Sequence, residues 1–244
     1  MDRTYDSVQA TLAPAVRDAS TMDEALVAAR SLRPDTPCLT FAETGDRYTV
    51  AEIDDWAGRV AGGLASLGIK KGDRVALYLP NSPAFVAAIY ACAKLGAVQV
   101  PINPEYQERE VRHVFETAGP VACLVGPDTE HVDNLAAIKP DFETFQDCVV
   151  VEDGISASAS PTQPLTGCGL AVHRFADLNG SIPEVTVDPD DPFTIIYTSG
   201  TTGLPKPALL AHASYLLSGK SFLPALPKAD INYNPFPLFH GNNQ

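Results

Sequence analysis

The chain has 244 residues, enough for one large domain or two small ones around a sizeable core. Apolar residues make up 45% and charged residues 19%, the balance of a globular rather than a disordered protein. Seventeen basic against 30 acidic residues give a net charge of −13. With no basic stripe, that argues against nucleic acid or an anionic membrane as the main partner. A phosphate ligand stays open, because a few backbone N–H groups and one lysine bind phosphate locally.

No apolar stretch approaches the ~18 residues of a membrane span. The N-terminal MDRTYDSVQA has no basic flank followed by an apolar run, so no signal peptide is expected and the cytoplasm is the expected compartment. Cys38, Cys92, Cys123, Cys148 and Cys168 are odd in number, widely spread and without a CxxC pair. Reduced, buried thiols are the expectation.

The first stretch to declare itself is 48–103. Thr49 and Glu52 have the spacing of a capping box. Behind them Ile53, Trp56, Val60, Leu64 and Leu67 recur at steps of three and four, one apolar helix face closed at Gly68. Lys70 to Asp73 reads as an exposed polar turn. Val75 to Leu79 reads as a strand, 82–95 as an alanine-rich helix closed by Gly96, and Val98 to Val100 as a strand. Glu108 to Ala118 is amphipathic, with Val111, Val114, Phe115 and Ala118 on one face. Val121 to Val125 follows as a strand, His131 to Ile138 as a short helix, and Cys148 to Val151 as a strand. Strands alternating with helices predict an α/β fold, mostly parallel sheets covered by helices. Residues 153–168 are rich in Ser, Thr, Pro and Gly and read as a flexible loop. A polar connector at Asp188 to Pro192 suggests a first α/β subdomain over 1–188 and the start of a second over 189–244.

After that connector, Phe193 to Tyr197 is a β-branched apolar strand, followed directly by Thr198-Ser199-Gly200-Thr201-Thr202-Gly203-Leu204-Pro205-Lys206. Four hydroxyls and two glycines fall within six residues, and a lysine follows. Glycines let N–H groups turn toward an anion with no Cβ in the way. Hydroxyls add donors, and Lys206 adds a charge that can follow the phosphates. The Walker pattern fails, because the residue after Lys206 is Pro207. The nucleophile elbow fails, because Tyr197 stands two before Ser199.

YTSGTTGLPK at 197–206 resembles the phosphate-loop motif of the adenylate-forming enzymes: acyl- and aryl-CoA ligases, luciferases, and adenylation domains of peptide synthetases. The run from Tyr48 through GDRVALYLPNSPAF to GAVQVPINP is similar to the N-terminal segment of acyl-CoA ligases. PLFHGNNQ at 237–244 looks like the segment that brings a histidine or aromatic residue to the acyl pocket. The resemblance implies the N-terminal part of that fold and a two-step reaction. A carboxylate attacks the α-phosphate of ATP and expels pyrophosphate; a thiol, usually that of coenzyme A, then takes the acyl group. By the same resemblance Thr198, Ser199, Gly200, Thr201, Thr202, Gly203 and Lys206 would hold the β- and γ-phosphates. Thr202 is the candidate for a phosphate-bound Mg²⁺, and His240 would border the acyl pocket.

The sequence departs from the family at Pro207, where glycine is commonest. The segments the family uses for the Mg²⁺ acid, the ribose and the catalytic lysine of its C-terminal domain are absent, so an N-terminal portion, incomplete for catalysis and prone to self-association, is expected. Two other readings are a non-catalytic nucleotide-binding or assembly module and a peptide-synthetase adenylation domain. Asp54-Asp55 and Asp190-Asp191 read as solvated pairs. His113, His131 and His173 lack metal-ligand spacing.

Overall fold

The computed structural model describes residues 18–42, 44–126, 128–151, 166–198, 203–222 and 237–239. Helix α1 spans Met22–Leu32, β1 Pro37–Thr40, β2 Arg47–Thr49, α2 Val50–Ser66, β3 Arg74–Tyr78, α3 Pro83–Leu95 and β4 Val98–Pro101. Then come α4 at Glu108–Ala118, β5 at Ala122–Val125, α5 at Thr129–Ile138, β6 at Asp147–Val150, β7 at Ala171–Arg174, β8 at Pro192–Thr198, β9 at Lys206–Ala211 and α6 at His212–Phe222. β1 and β2 form a separate antiparallel pair. The other strands build a seven-stranded sheet in the order β7-β6-β5-β3-β4-β8-β9. All its pairings are parallel except β8 with β9.

Side chains of β3 alternate between two layers, as a strand requires. Val75 and Leu77 join α2 and α3 in one core, with Val60, Leu64, Phe85 and Leu95. Ala76 and Tyr78 face α4 and α5, with Val111, Phe115, Val132 and Ile138. The β3 register to β4 and β5 keeps those layers continuous, Leu77 lying beside Pro101 on one side and Leu124 on the other.

The capping box at Thr49 and Glu52 forms as the spacing predicts. Ser82 caps α3 and Gly96 ends it at φ +63°. A glycine pair inside α2 has a different task. A Cβ on Gly62 would lie 2.0 Å from the carbonyl oxygen of Gly180, and one on Gly63 2.5 Å from Leu178 Cβ. The helix therefore seats the backbone of the connector that leads into β8.

Two expectations need correction, for Asp54 and for the cysteines, and one gains detail, for Lys71. Asp54 is not solvated: it is 8% exposed and sits in a cluster of ion pairs. Its carboxylate lies 2.6 Å from both Lys94 Nζ and an Arg30 guanidinium nitrogen, while Lys94 also meets Asp23 at 2.7 Å. Lys71 is exposed in its turn, as expected, and finds partners there. It donates to the Thr186 carbonyl at 2.9 Å and pairs with Asp191 at 2.6 Å, tying the connector to the sheet. Cysteines 92, 123 and 148 are buried free thiols, but Cys38 is exposed and Cys168 only partly covered.

Candidate phosphate-binding site

β3, β4 and β8 run in one direction, so their following turns leave the same edge of the sheet. Carboxyl edges of open α/β sheets are where ligands bind. β4 and β8 meet at Gln99 and Thr194. That contact sets the GAVQVP run beside the strand that feeds the hydroxyl-and-glycine stretch.

Thr198 ends β8 and Lys206 opens β9, and the two are ladder partners. Thr198 Oγ1 donates to the Lys206 carbonyl at 3.4 Å. Both residues are exposed, and among the described residues nothing lies within 4 Å of where a Cβ on Gly203 would stand. Ser199, Gly200, Thr201 and Thr202 lie outside the described residues, as does His240. Pro207 stands opposite Tyr197 on β9, the last strand of the sheet. Edge strands accept proline, because an N–H turned outward has no ladder partner to lose.

Helix α4 holds both ends of the stretch. His113 Nε2 lies 2.9 Å from the Pro205 carbonyl oxygen. A carbonyl only accepts, so Nε2 carries the proton. Tyr197 OH lies 2.6 Å from Thr117 Oγ1, which donates to the His113 carbonyl at 2.7 Å. Burial raises the Tyr197 hydroxyl pKa above its ordinary value, with the Thr117 hydrogen bond opposing. Arg74 fixes the far end of α4 by donating to the carbonyls of Ala118, at 3.0 Å, and Gly119, at 2.6 Å.

The turn after β4 is locked from α5. His131 Nε2 donates to the Pro104 carbonyl at 2.8 Å. Asn134 donates to the Tyr78 hydroxyl at 3.2 Å, and that hydroxyl donates to the Tyr106 carbonyl. Burial pushes the Tyr78 hydroxyl up to about 12. The start of the third motif also reaches this edge. Leu238 N–H donates to Asn81 Oδ1 at 2.6 Å, and Leu238 and Phe239 pack on the core beneath. PLF thus docks on the LPNSP turn, two runs 157 residues apart in sequence.

The structure therefore brings Thr198, Gly203 and Lys206 to one exposed bend. Sequence reasoning gave no role to Tyr197, His113 or Thr117. The signal was available: His113 and Thr117 are four apart on a helix and share a face.

Comparison with known proteins agrees with this geometry. Residues 27–244 match the AMP-binding enzyme family, and the chain belongs to it. It is 34% identical over 216 residues to 4-coumarate–CoA ligase 2 of Oryza sativa subsp. japonica, covering 85% of this chain and 37% of that one. It is also 34% identical over 205 residues to long-chain-fatty-acid–CoA ligase FadD13 of Mycobacterium tuberculosis, covering 81% and 36%. Among solved structures, a putative long-chain-fatty-acid CoA ligase from Rhodopseudomonas palustris superposes with a TM-score of 0.73 at 27% identity, covering 90% of this chain and 52% of that one. The chain spans a little over a third of the length of the curated relatives it matches. The fold is the α/β N-terminal domain of adenylate-forming enzymes.

Proposed function

We propose that this chain supplies the phosphate-gripping part of an ATP-dependent carboxylic-acid activation. The observation that supports the reading is the pairing of exposed Thr198 with exposed Lys206 at the carboxyl edge of a parallel sheet, with Tyr197 and Pro205 tied to α4. Both reactants are anionic, so the site must neutralise and align them. The substrate carboxylate attacks the α-phosphorus of ATP, pyrophosphate leaves, and an acyl-adenylate forms. The thiol of coenzyme A then takes the acyl group and AMP leaves. Thr198, Ser199, Gly200, Thr201, Thr202, Gly203 and Lys206 hold the departing phosphates. Mg²⁺, when bound, neutralises phosphate charge, with Thr202 as its candidate ligand. His240 borders the acyl pocket, next to the PLF segment docked on Asn81.

In the whole enzyme residues 1–188 act as one α/β subdomain, and 189–244 open a second that borrows the first one's sheet edge. The reaction needs the length that the relatives have and these residues lack, and it runs in the cytoplasm. The family names span aryl and fatty acids, which supports a carboxylic acid of either kind.

Calorimetric titration of the 244-residue chain with pyrophosphate and with MgATP tests the reading. Binding that Lys206→Ala weakens is expected, together with no acid-dependent pyrophosphate exchange. No binding of either ligand overturns the phosphate reading, and robust exchange overturns the incompleteness.

A further inference from the structure

We propose that His113 and Thr117 of α4 are positioning residues of the phosphate-binding bend. They fasten its two ends to one helix and so set the geometry in which it meets an anion. This inference rests on the function proposed above.

The bend needs an external brace. β9 is the last strand of the sheet and pairs with β8 alone, so the hairpin has no neighbour on its outer side among the described residues. Ladder bonds hold β9 to β8 but do not themselves tie the hairpin to the helix layer. α4 supplies the missing constraint at two points. At the entry, the Tyr197 hydroxyl shares a hydrogen bond with Thr117 Oγ1 at 2.6 Å and lies 3.3 Å from the Val114 carbonyl, both on α4. At the exit, His113 Nε2–H donates to the Pro205 carbonyl. The helix can serve as a brace because it is itself immobilised. Val111, Val114, Phe115 and Ala118 are buried in the core, and Arg74 caps its last carbonyls.

The exit contact also has an electrostatic consequence. The Pro205 carbonyl and the Lys206 N–H belong to one planar trans peptide and point in opposite directions. Holding the carbonyl against α4 turns the Lys206 N–H away from the helix. It also keeps the negative end of that carbonyl on a donor instead of facing a phosphate oxygen. Both effects favour an anion, and neither requires His113 to touch it.

The test uses the full 244-residue chain, pyrophosphate as the probe, and three variants. His113→Met keeps bulk and loses the donor. His113→Gln keeps an N–H donor. Thr117→Val keeps shape and loses the hydroxyl. Calorimetric affinity is read beside the thermal midpoint. We expect His113→Met to weaken pyrophosphate binding by about tenfold, with the thermal midpoint lowered by no more than the loss of one hydrogen bond allows. His113→Gln restores most of that loss, and Thr117→Val weakens binding in the same direction. Should His113→Met fail to fold, Thr117→Val decides. Wild-type affinity in both His113→Met and Thr117→Val overturns the inference while leaving the phosphate site standing, and so does a loss that His113→Gln does not restore. Absence of binding by the wild-type chain removes the function itself, and this inference with it.

Discussion

Asp54 and His212 are buried titratable residues, and each ties stability to pH. Burial alone would raise the Asp54 pKa, but hydrogen bonds from Lys94 and Arg30 outweigh it and hold the carboxyl below its usual value. Its stabilisation is present above the unfolded value near 4 and is lost as pH falls through the lower folded value. Replacing Lys94 by Met leaves the buried Asp54 carboxylate with Arg30 as its remaining cationic partner, at a cost of about 1–3 kcal/mol in denaturant melts. His212 is fully buried, and its Nδ1 accepts from the Met22 N–H at 3.2 Å. Burial depresses its pKa to about 4, with Asp191 opposing. The folded state therefore keeps it neutral while the unfolded chain protonates it near 6.5. Stability should fall as pH drops from about 6.5 to 4, by up to about 3 kcal/mol. A His212→Gln variant should show no such decline over that window when urea midpoints are compared. None of this was legible in the sequence, because Asp54-Asp55 looks like any solvated pair until Lys94 and Arg30 arrive from other helices.

At the scale of elements, local signals served well wherever a cap or a period was present. The Thr49 box, the Ile53–Val60–Leu64 face, the alanine-rich run at 82–95 with Gly96, and the Val111–Phe115 face all predict elements the structure contains. Helix α1 has its own capping box at Thr21 and Glu24, the same S/T-x-x-E spacing as at Thr49. β7, with sequence AVHR, is four residues long and half polar, and it exists because β6 offers it a parallel edge. β9, with sequence KPALLA, begins at the motif lysine and becomes a strand by pairing with β8. Such strands are defined by tertiary partners and carry little local pattern. The glycine pair in α2 belongs to the same class. Gly62→Val should drive the connector from its seat and cost roughly 1–3 kcal/mol, read as a lower thermal midpoint. Gly58→Ala is the internal control. Its nearest obstacle is Ile182 Cδ1 at 4.0 Å, so this change should hold or raise the midpoint through better helix propensity.

For the whole molecule, charge and exposed surface pull against each other. Leu209 on β9 and Leu217 on α6 are 59% and 68% exposed. They stand on the hairpin and the helix that end the sheet, where the strand edge is unpaired among the described residues and invites association. A net charge of −13 opposes that association through long-range repulsion. Salt screens the repulsion within about 10 Å at 0.1 M. Raising salt should therefore increase self-association in sedimentation velocity, and a Leu209→Ser, Leu217→Ser double variant should suppress it. The same topology explains how three separated motifs become one candidate site. Parallel strands deliver the turn at Asn81, the turn at Pro104 and the bend after Thr198 to a single edge, and the PLF segment returns to close on Asn81. The motifs were visible as strings. Their convergence was not, because it depends on strand order.

The most direct test follows the backbone amide signals of Thr198, Gly203, Leu204 and Lys206 while pyrophosphate is titrated onto the intact chain. Saturable shifts confined to these residues and their α4 contacts, lost in Lys206→Ala, are the predicted result. Signals that stay in place at full titration, or shifts of equal size spread over the whole sheet, would contradict a phosphate-binding role for the bend.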